Sequence, residues 1–213
     1  MIKHFISFCL IVMLIAIGRW YYIRSDYRAP GTVIILNGPS AAGKSATQEA
    51  FQNLMFPDLW IATGIDRLFD QALNAWGKPI RWIEETTDAA GNNVITLHVG
   101  AKGQQAAYAM NSAIAAYARE GCNVIVDYIA YDQAWLADLQ KKLHNMPTYY
   151  VAVDIPLSVL EQRETGRGTS PAGHARSHYD TVYGDIVYDL RINTNEYTPE
   201  KIAQQIRSMT QNT

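Results

Sequence analysis

The sequence predicts an α/β domain built on a parallel sheet, and three observations carry that prediction. Short apolar runs rich in β-branched residues alternate with amphipathic stretches of ten residues or more, the pattern of βαβ units. A glycine-bearing turn follows the first apolar run directly, and a helical stretch follows the turn. The chain has 213 residues, 48% of them apolar and 18% charged, which excludes a disordered, collagenous or coiled-coil protein and suits one domain with a short extension.

The elements follow in order. Thr32–Leu36 reads as a buried strand, and Lys44–Met55 as a helix. Leu59–Ala62 is a short second strand. Asp66–Trp76 places Leu68, Phe69, Leu73 and Trp76 at helical spacing. Ile80–Glu85 and Val94–Val99 flank Gly91-Asn92 and read as a small hairpin inserted in the βαβ scheme. Gln104–Arg119 is an alanine-rich helix stopped by Gly121. Asn123–Asp127 and Thr148–Ile155 are strands, each followed by a helix, Asp132–Leu143 and Leu157–Arg167. Gly168–Gly173 is a loop, Ile186–Ile192 the last strand, and Pro199–Met209 a closing amphipathic helix with no chemistry of its own. No internal repeat is present.

Two segments divide the chain: residues 1–30, an anchor or signal, and residues 31–213, the α/β domain. Phe5–Ile17 is uncharged and apolar but for Ser7. Its 13 residues suit a signal peptide, with Ala16-Ile17-Gly18 as a loose cleavage site. Extended to Ile23, the stretch approaches a membrane span, with Trp20-Tyr21-Tyr22 at the interface. Arg19, Arg24 and Arg28 on the C-terminal flank lean toward a body on the cytoplasmic side. The expectation is therefore an N-terminal hydrophobic helix tethering a cytoplasmic domain in a single pass; export after cleavage is the alternative.

Charge and cysteine count narrow the partners. The net charge is −2, and four of the bases lie in the first 30 residues against one acid, so the body is acidic. A nucleic-acid partner normally needs a basic face, and none is expected here. Two cysteines, Cys9 and Cys122, form neither a disulfide framework nor a multi-cysteine zinc site. His174 and His178 are four apart, but no third ligand accompanies them, so they read as surface histidines. Cys122 reads as a small buried residue.

Chemistry enters with Gly38-Pro39-Ser40-Ala41-Ala42-Gly43-Lys44-Ser45, a match to the Walker A pattern G-x-x-x-x-G-K-[ST]. Its glycines let main-chain amides turn inward around phosphate oxygens, and the following helix points its positive end at the same place. Lys44 would reach the β- and γ-phosphates of a nucleotide, and Ser45 would hold Mg²⁺. The complete strand–loop–helix context makes this signal specific. Asp127, at the end of its strand, lies where a second metal-supporting carboxylate belongs, with a turn cap as the competing reading. Thr194 and Asn195 follow the last strand, where an adenine ring commonly packs.

Two further positions stay open on spacing alone. Arg163 and Arg167 share one helical face and suit a lid over a transferring phosphoryl group. They equally suit a solvated face bridged to Glu161 and Glu164. Asp66 follows the second strand and could orient an acceptor hydroxyl, yet an aspartate there caps a helix just as well, and spacing prefers the cap. No N-K-x-D guanine-reading motif is present.

Together these residues resemble the chloramphenicol 3-O-phosphotransferase-like family. The resemblance rests on Ile34-Ile35-Leu36-Asn37-Gly38, Ser40, Ala42-Gly43-Lys44-Ser45, Gly64-Ile65-Asp66 and Ala118-Arg119-Glu120-Gly121. It continues through Arg163-Glu164-Thr165-Gly166-Arg167-Gly168, Gly173, Ala175, Tyr188-Asp189-Leu190 and Thr194. It implies a five-stranded parallel sheet of the nucleotide-kinase type and ATP-dependent phosphorylation of a hydroxyl on a small molecule. It implies Asp66 as catalytic base and Arg163 and Arg167 as lid arginines. The chain departs from the family at Ser170, where a further lid arginine is expected and Arg176 is the nearest substitute, and at Tyr128, in place of a second acid. Phe69–Gly100, the acceptor region, shows little likeness. A nucleotide or sugar-acid kinase on the same scaffold, or a membrane-held ATP-binding sensor without acceptor, are the rival readings.

Overall fold

The computed structural model describes Met13 and residues 28–65, 67, 77–168 and 171–211. Five strands form one parallel sheet, and two more form a separate antiparallel hairpin. The chain runs β1 (Val33–Asn37), α1 (Lys44–Met55), β2 (Trp60–Gly64), β3 (Arg81–Thr87), β4 (Asn93–Val99), α2 (Ala101–Arg119) and β5 (Asn123–Tyr128). It continues with α3 (Gln133–Leu143), β6 (Thr148–Asp154), α4 (Leu157–Arg167), α5 (His174–His178), β7 (Leu190–Asn193) and α6 (Pro199–Gln211). The order across the sheet is β2-β5-β1-β6-β7.

β1 lies at the centre, paired in parallel with β5 on one side and β6 on the other. Both faces of such a strand are covered, so it reads as a continuous apolar run, and all five of its residues are buried. Val33, Ile35, Val124 and Val126 face one layer, with Met110 and Ile114 of α2 and Trp135, Leu136 and Leu139 of α3. Ile34, Leu36, Ile125, Val151 and Val153 face the other, with Phe51 of α1, Leu160 of α4 and Ile202 and Ile206 of α6. The sheet thus points the C-terminal ends of all its strands at one edge, the place where open α/β sheets bind ligands.

The structure differs from the expected elements in three places. The last strand is only Leu190–Asn193. The residues before it are used otherwise: the Tyr188 hydroxyl accepts from the Asn37 amide at 2.6 Å, and Asp189 accepts the Tyr150 amide at 2.7 Å. A short helix, α5, stands where no helix was expected. The loop ahead of it has no local helix-start signal; instead the Glu164 carboxylate, reaching over from α4, accepts the amides of Gly173 (2.8 Å) and Ala175 (2.7 Å). Cys122 is half-buried rather than buried.

The N-terminal expectation is corrected. Among the described residues no helix is long and apolar enough to cross a membrane. The stretch Phe5–Ile17 on which the tether was read lies outside the described residues except for Met13, as does the helix read over Asp66–Trp76 except for Arg67. The hydrophobic N-terminal helix and the single-pass membrane placement are therefore withdrawn.

Candidate active site

The turn between β1 and α1 is held at both ends. Gly43 adopts φ 96°, the left-handed region that favours glycine, and lets the chain enter α1 at Lys44. Ala41 adopts φ 62°, an uncommon conformation for a residue with a Cβ, storing of order 1–3 kcal/mol of strain. Such strain persists only where surrounding contacts fix the backbone, and they are present here. The Ala42 carbonyl accepts from the Thr194 hydroxyl at 2.7 Å. The Ser40 amide donates to Nε2 of His178 at 3.1 Å.

Lys44 is 4% exposed. Its ammonium donates to the carbonyls of Gly38 (2.9 Å) and Pro39 (2.7 Å) and lies 3.5 Å from Oδ1 of Asp127. The Ser45 hydroxyl donates to Oδ2 of the same carboxylate at 2.6 Å. The sheet brings them together: Asp127 sits in register with Leu36 of β1 and Gly64 of β2, so its carboxylate faces the first turn of α1. The hydroxyl and the carboxylate are hard oxygen donors that suit Mg²⁺, and the N–H groups of the helix N-terminus beside them suit a phosphate. Among the described residues there is no cluster of three or more His, Cys, Asp or Glu that could hold a metal unaided.

On the other side of the loop lies a cavity of about 270 Å³, lined by Gly43, Thr47, Arg163, Arg167, Thr194 and Tyr197 among others. Arg163 donates to the Thr194 hydroxyl (3.1 Å) and carbonyl (2.9 Å), so arginine, threonine and loop form one chain of hydrogen bonds. The alternative that Glu161 and Glu164 neutralise the two arginines does not hold for Arg163. Glu164 is buried and engaged with α5, and Glu161 pairs with Arg176 at 2.7 Å. Arg176 also donates to Asp88 at 3.0 Å, tying α5 to the tip of the β3–β4 hairpin. It therefore belongs to a bridge between α4 and the hairpin and is not a spare arginine facing the loop.

Asp66 and Ser170 lie outside the described residues. β2, which leads toward Asp66, ends at Gly64 opposite Asp127. Tyr128, the residue where a second acid was sought, is fully buried, and its hydroxyl donates to Asn111.

Several residues at the site carried no signal in the sequence or were set aside. His174 and His178, expected at the surface, are 8% and 5% exposed. They pack against Tyr131, edge-on for Tyr131–His178 at a centroid separation of 4.9 Å and tilted for the two histidines at 5.0 Å. Burial, then the neighbouring His174 and Lys44, push the His178 pKa down to about 3, so its ring is neutral. The four-residue spacing of the histidines was the one available clue. Pro199 and Ile202, in a helix read as chemically silent, join Tyr197 in lining the cavity.

The fold is shared with solved kinases. The APS kinase CysC of Mycobacterium tuberculosis, solved with AMPPNP and APS, matches 86% of this chain over 99% of its own, with a TM-score of 0.60 and 17% identity. The shikimate kinase of Acinetobacter baumannii, solved with shikimate, matches 89% over 97%, with a TM-score of 0.52 and 14% identity. The class is thus that of the P-loop kinase fold.

The chain belongs to the chloramphenicol phosphotransferase-like family, which it matches over residues 31–211. It is also 28% identical, over 183 residues, to two M. tuberculosis proteins provisionally named O-phosphotransferases, covering 83% of this chain and 80% of each of theirs. Family and fold together make the protein a phosphotransferase of the kinase type.

Proposed function

We propose that the protein transfers the γ-phosphate of ATP to a hydroxyl group of a small molecule. The observation that carries this reading is the cluster at the end of β1 and β5: a buried Lys44 and a Ser45–Asp127 hydrogen bond on a glycine-bearing loop that opens a helix. The main-chain amides from Gly43 to Ser45 would hold the phosphates, and Lys44 would follow the charge on the transferred group. Ser45 and Asp127 would hold Mg²⁺, which when bound neutralises phosphate charge. The nucleoside end would occupy the cavity bounded by Arg163, Arg167, Thr194 and Tyr197, where the two arginines would stabilise phosphate oxygens.

Asp66 is assigned the acceptor side. The family resemblance supports this assignment, in which the Asp66 carboxylate orients an alcohol and takes its proton; β2, the strand that precedes it in the sequence, ends at Gly64 beside Asp127. The acceptor region is then the stretch Phe69–Gly100, which includes the β3–β4 hairpin. In the hairpin Trp82 stacks on His98 at 5.1 Å, and Glu84 accepts from His98 at 2.8 Å.

The test is binding and turnover of the purified chain with magnesium and ATP, followed by a panel of alcohols that includes chloramphenicol, nucleotides and sugar acids. ADP release that depends on an added alcohol supports transfer; ATP affinity with no alcohol-dependent release points to a nucleotide sensor instead. Lys44→Ala is expected to abolish transfer. Asp66→Asn is expected to abolish transfer while leaving ATP affinity nearly intact, and undiminished turnover in that variant removes Asp66 from the mechanism.

A further inference from the structure

The loop's first half has a partner outside any phosphate chemistry. A loop amide normally turned toward phosphate or solvent, that of Ser40, is instead donated to a side chain 138 residues away. That side chain, His178, is 5% exposed and can accept at Nε2 only while Nε2 carries no proton. Its other nitrogen, Nδ1, then carries the proton and faces the Ser177 hydroxyl at 3.3 Å. Ser177 is itself fixed, donating to the His174 carbonyl at 2.7 Å.

His174 is fixed from two directions. Its Nε2 lies 3.0 Å from the Tyr131 hydroxyl and its Nδ1 lies 3.3 Å from the Ile95 carbonyl. A carbonyl only accepts, so Nδ1 bears the proton and Nε2 accepts from the tyrosine. The Ile95 amide donates back to the Gly173 carbonyl at 3.1 Å. The hairpin strand β4, helix α5 and the phosphate loop are thus joined by consecutive hydrogen bonds.

We propose that His178 is a positioning residue for the phosphate-binding loop: its unprotonated Nε2 holds the Ser40 amide, fixing the loop's first half against α5 and, through His174, against the β3–β4 hairpin. The loop amides beyond Ser40 are then preset toward the phosphates before any nucleotide arrives. A loop that populates the competent shape only part of the time binds its ligand more weakly by that fraction. This inference rests on the phosphate-loop reading above, and its test separates the two.

The experiment compares the wild-type chain with His178→Gln and His178→Met. Glutamine keeps an acceptor in a side chain of similar length; methionine fills similar space with only a weak one. Magnesium–ATP affinity is measured by titration calorimetry, the fold by thermal unfolding, and the Ser40 amide by hydrogen exchange. The expected result is a Ser40 amide protected in wild type and in His178→Gln, with affinities within about twofold. His178→Met is expected to bind roughly tenfold more weakly, with faster exchange at Ser40, as loss of one buried acceptor implies.

Equal affinity in all three proteins overturns the proposal, and so does an equal loss in both variants, which would assign the effect to ring packing. If His178→Met does not fold, the wild-type exchange decides: an unprotected Ser40 amide overturns the proposal by itself, and a protected one, with affinity retained in His178→Gln, upholds it. Absence of any affinity in the wild-type chain overturns the nucleotide reading as well, and the wild-type arm shows which has failed.

Discussion

His178 and Glu164 show how single residues govern this site. The His178 pKa is depressed to about 3, chiefly by burial, against an ordinary value near 6.5. In the window between those values the unfolded chain binds a proton that the folded chain refuses, so folding stability rises with pH across it and falls as pH drops from about 6.5 toward 3. Urea unfolding from pH 5 to 7.5 is expected to show a steeper pH slope for wild type than for His178→Gln; matching slopes would contradict the neutral buried ring. Glu164 is 1% exposed, and its two oxygens hold two amides at the start of α5. Glu164→Ala leaves both without an acceptor and is expected to cost about 2 kcal/mol or more, read as a lower urea midpoint. Glu164→Gln, which keeps one accepting oxygen, should lose less.

At the scale of elements, α5 is the joint between the hairpin and the nucleotide side. Its N-terminal Gly173 has φ 101°, and a Cβ there would lie 2.4 Å from the Asn93 carbonyl, so the hairpin approaches this backbone directly. Gly173→Ala forces the two apart and is expected to weaken ATP binding along with the α5–β4 contact, a loss that calorimetry would register. Arg176 bridges Glu161 on α4 and Asp88 at the hairpin tip. These groups are partly exposed, so Arg176→Ala should change the unfolding midpoint little. Hydrogen exchange across residues 88–93 should nevertheless rise, because the tip loses its tie to α4.

The whole molecule binds the two ends of the site to one sheet edge. Loop, Asp127 and the Thr194 segment follow or belong to β1, β5 and β7, so the proposed nucleotide site draws on three strands at once. A ligand that binds only the folded chain stabilises it by about 2.7 kcal/mol at a hundredfold excess over its dissociation constant. For a domain of this size that corresponds to a melting shift of roughly 5–10 °C. Magnesium–ATP is expected to produce such a shift, and ATP with a chelator a smaller one. No shift with any nucleoside triphosphate would count against the proposed function.

What could be read from the sequence was local. Strand, loop and helix at Val33–Met55 are neighbours in the chain, so composition and spacing there determine both the turn and its chemistry, and the apolar runs of β5 and β6 determine a sheet covered on both faces. That Asp127 lies at the same edge as the loop was legible because strand ends in such a sheet share one edge; its hydrogen bond with Ser45 was not. The rest was decided by tertiary structure. Whether Arg163 meets glutamate or Thr194, whether Glu164 faces water or caps α5, and whether His178 is exposed or holds Ser40 depend on segments 9 to 138 residues apart in the chain. Helical spacing says which side chains share a face. Only the packing of one element on another says what that face meets.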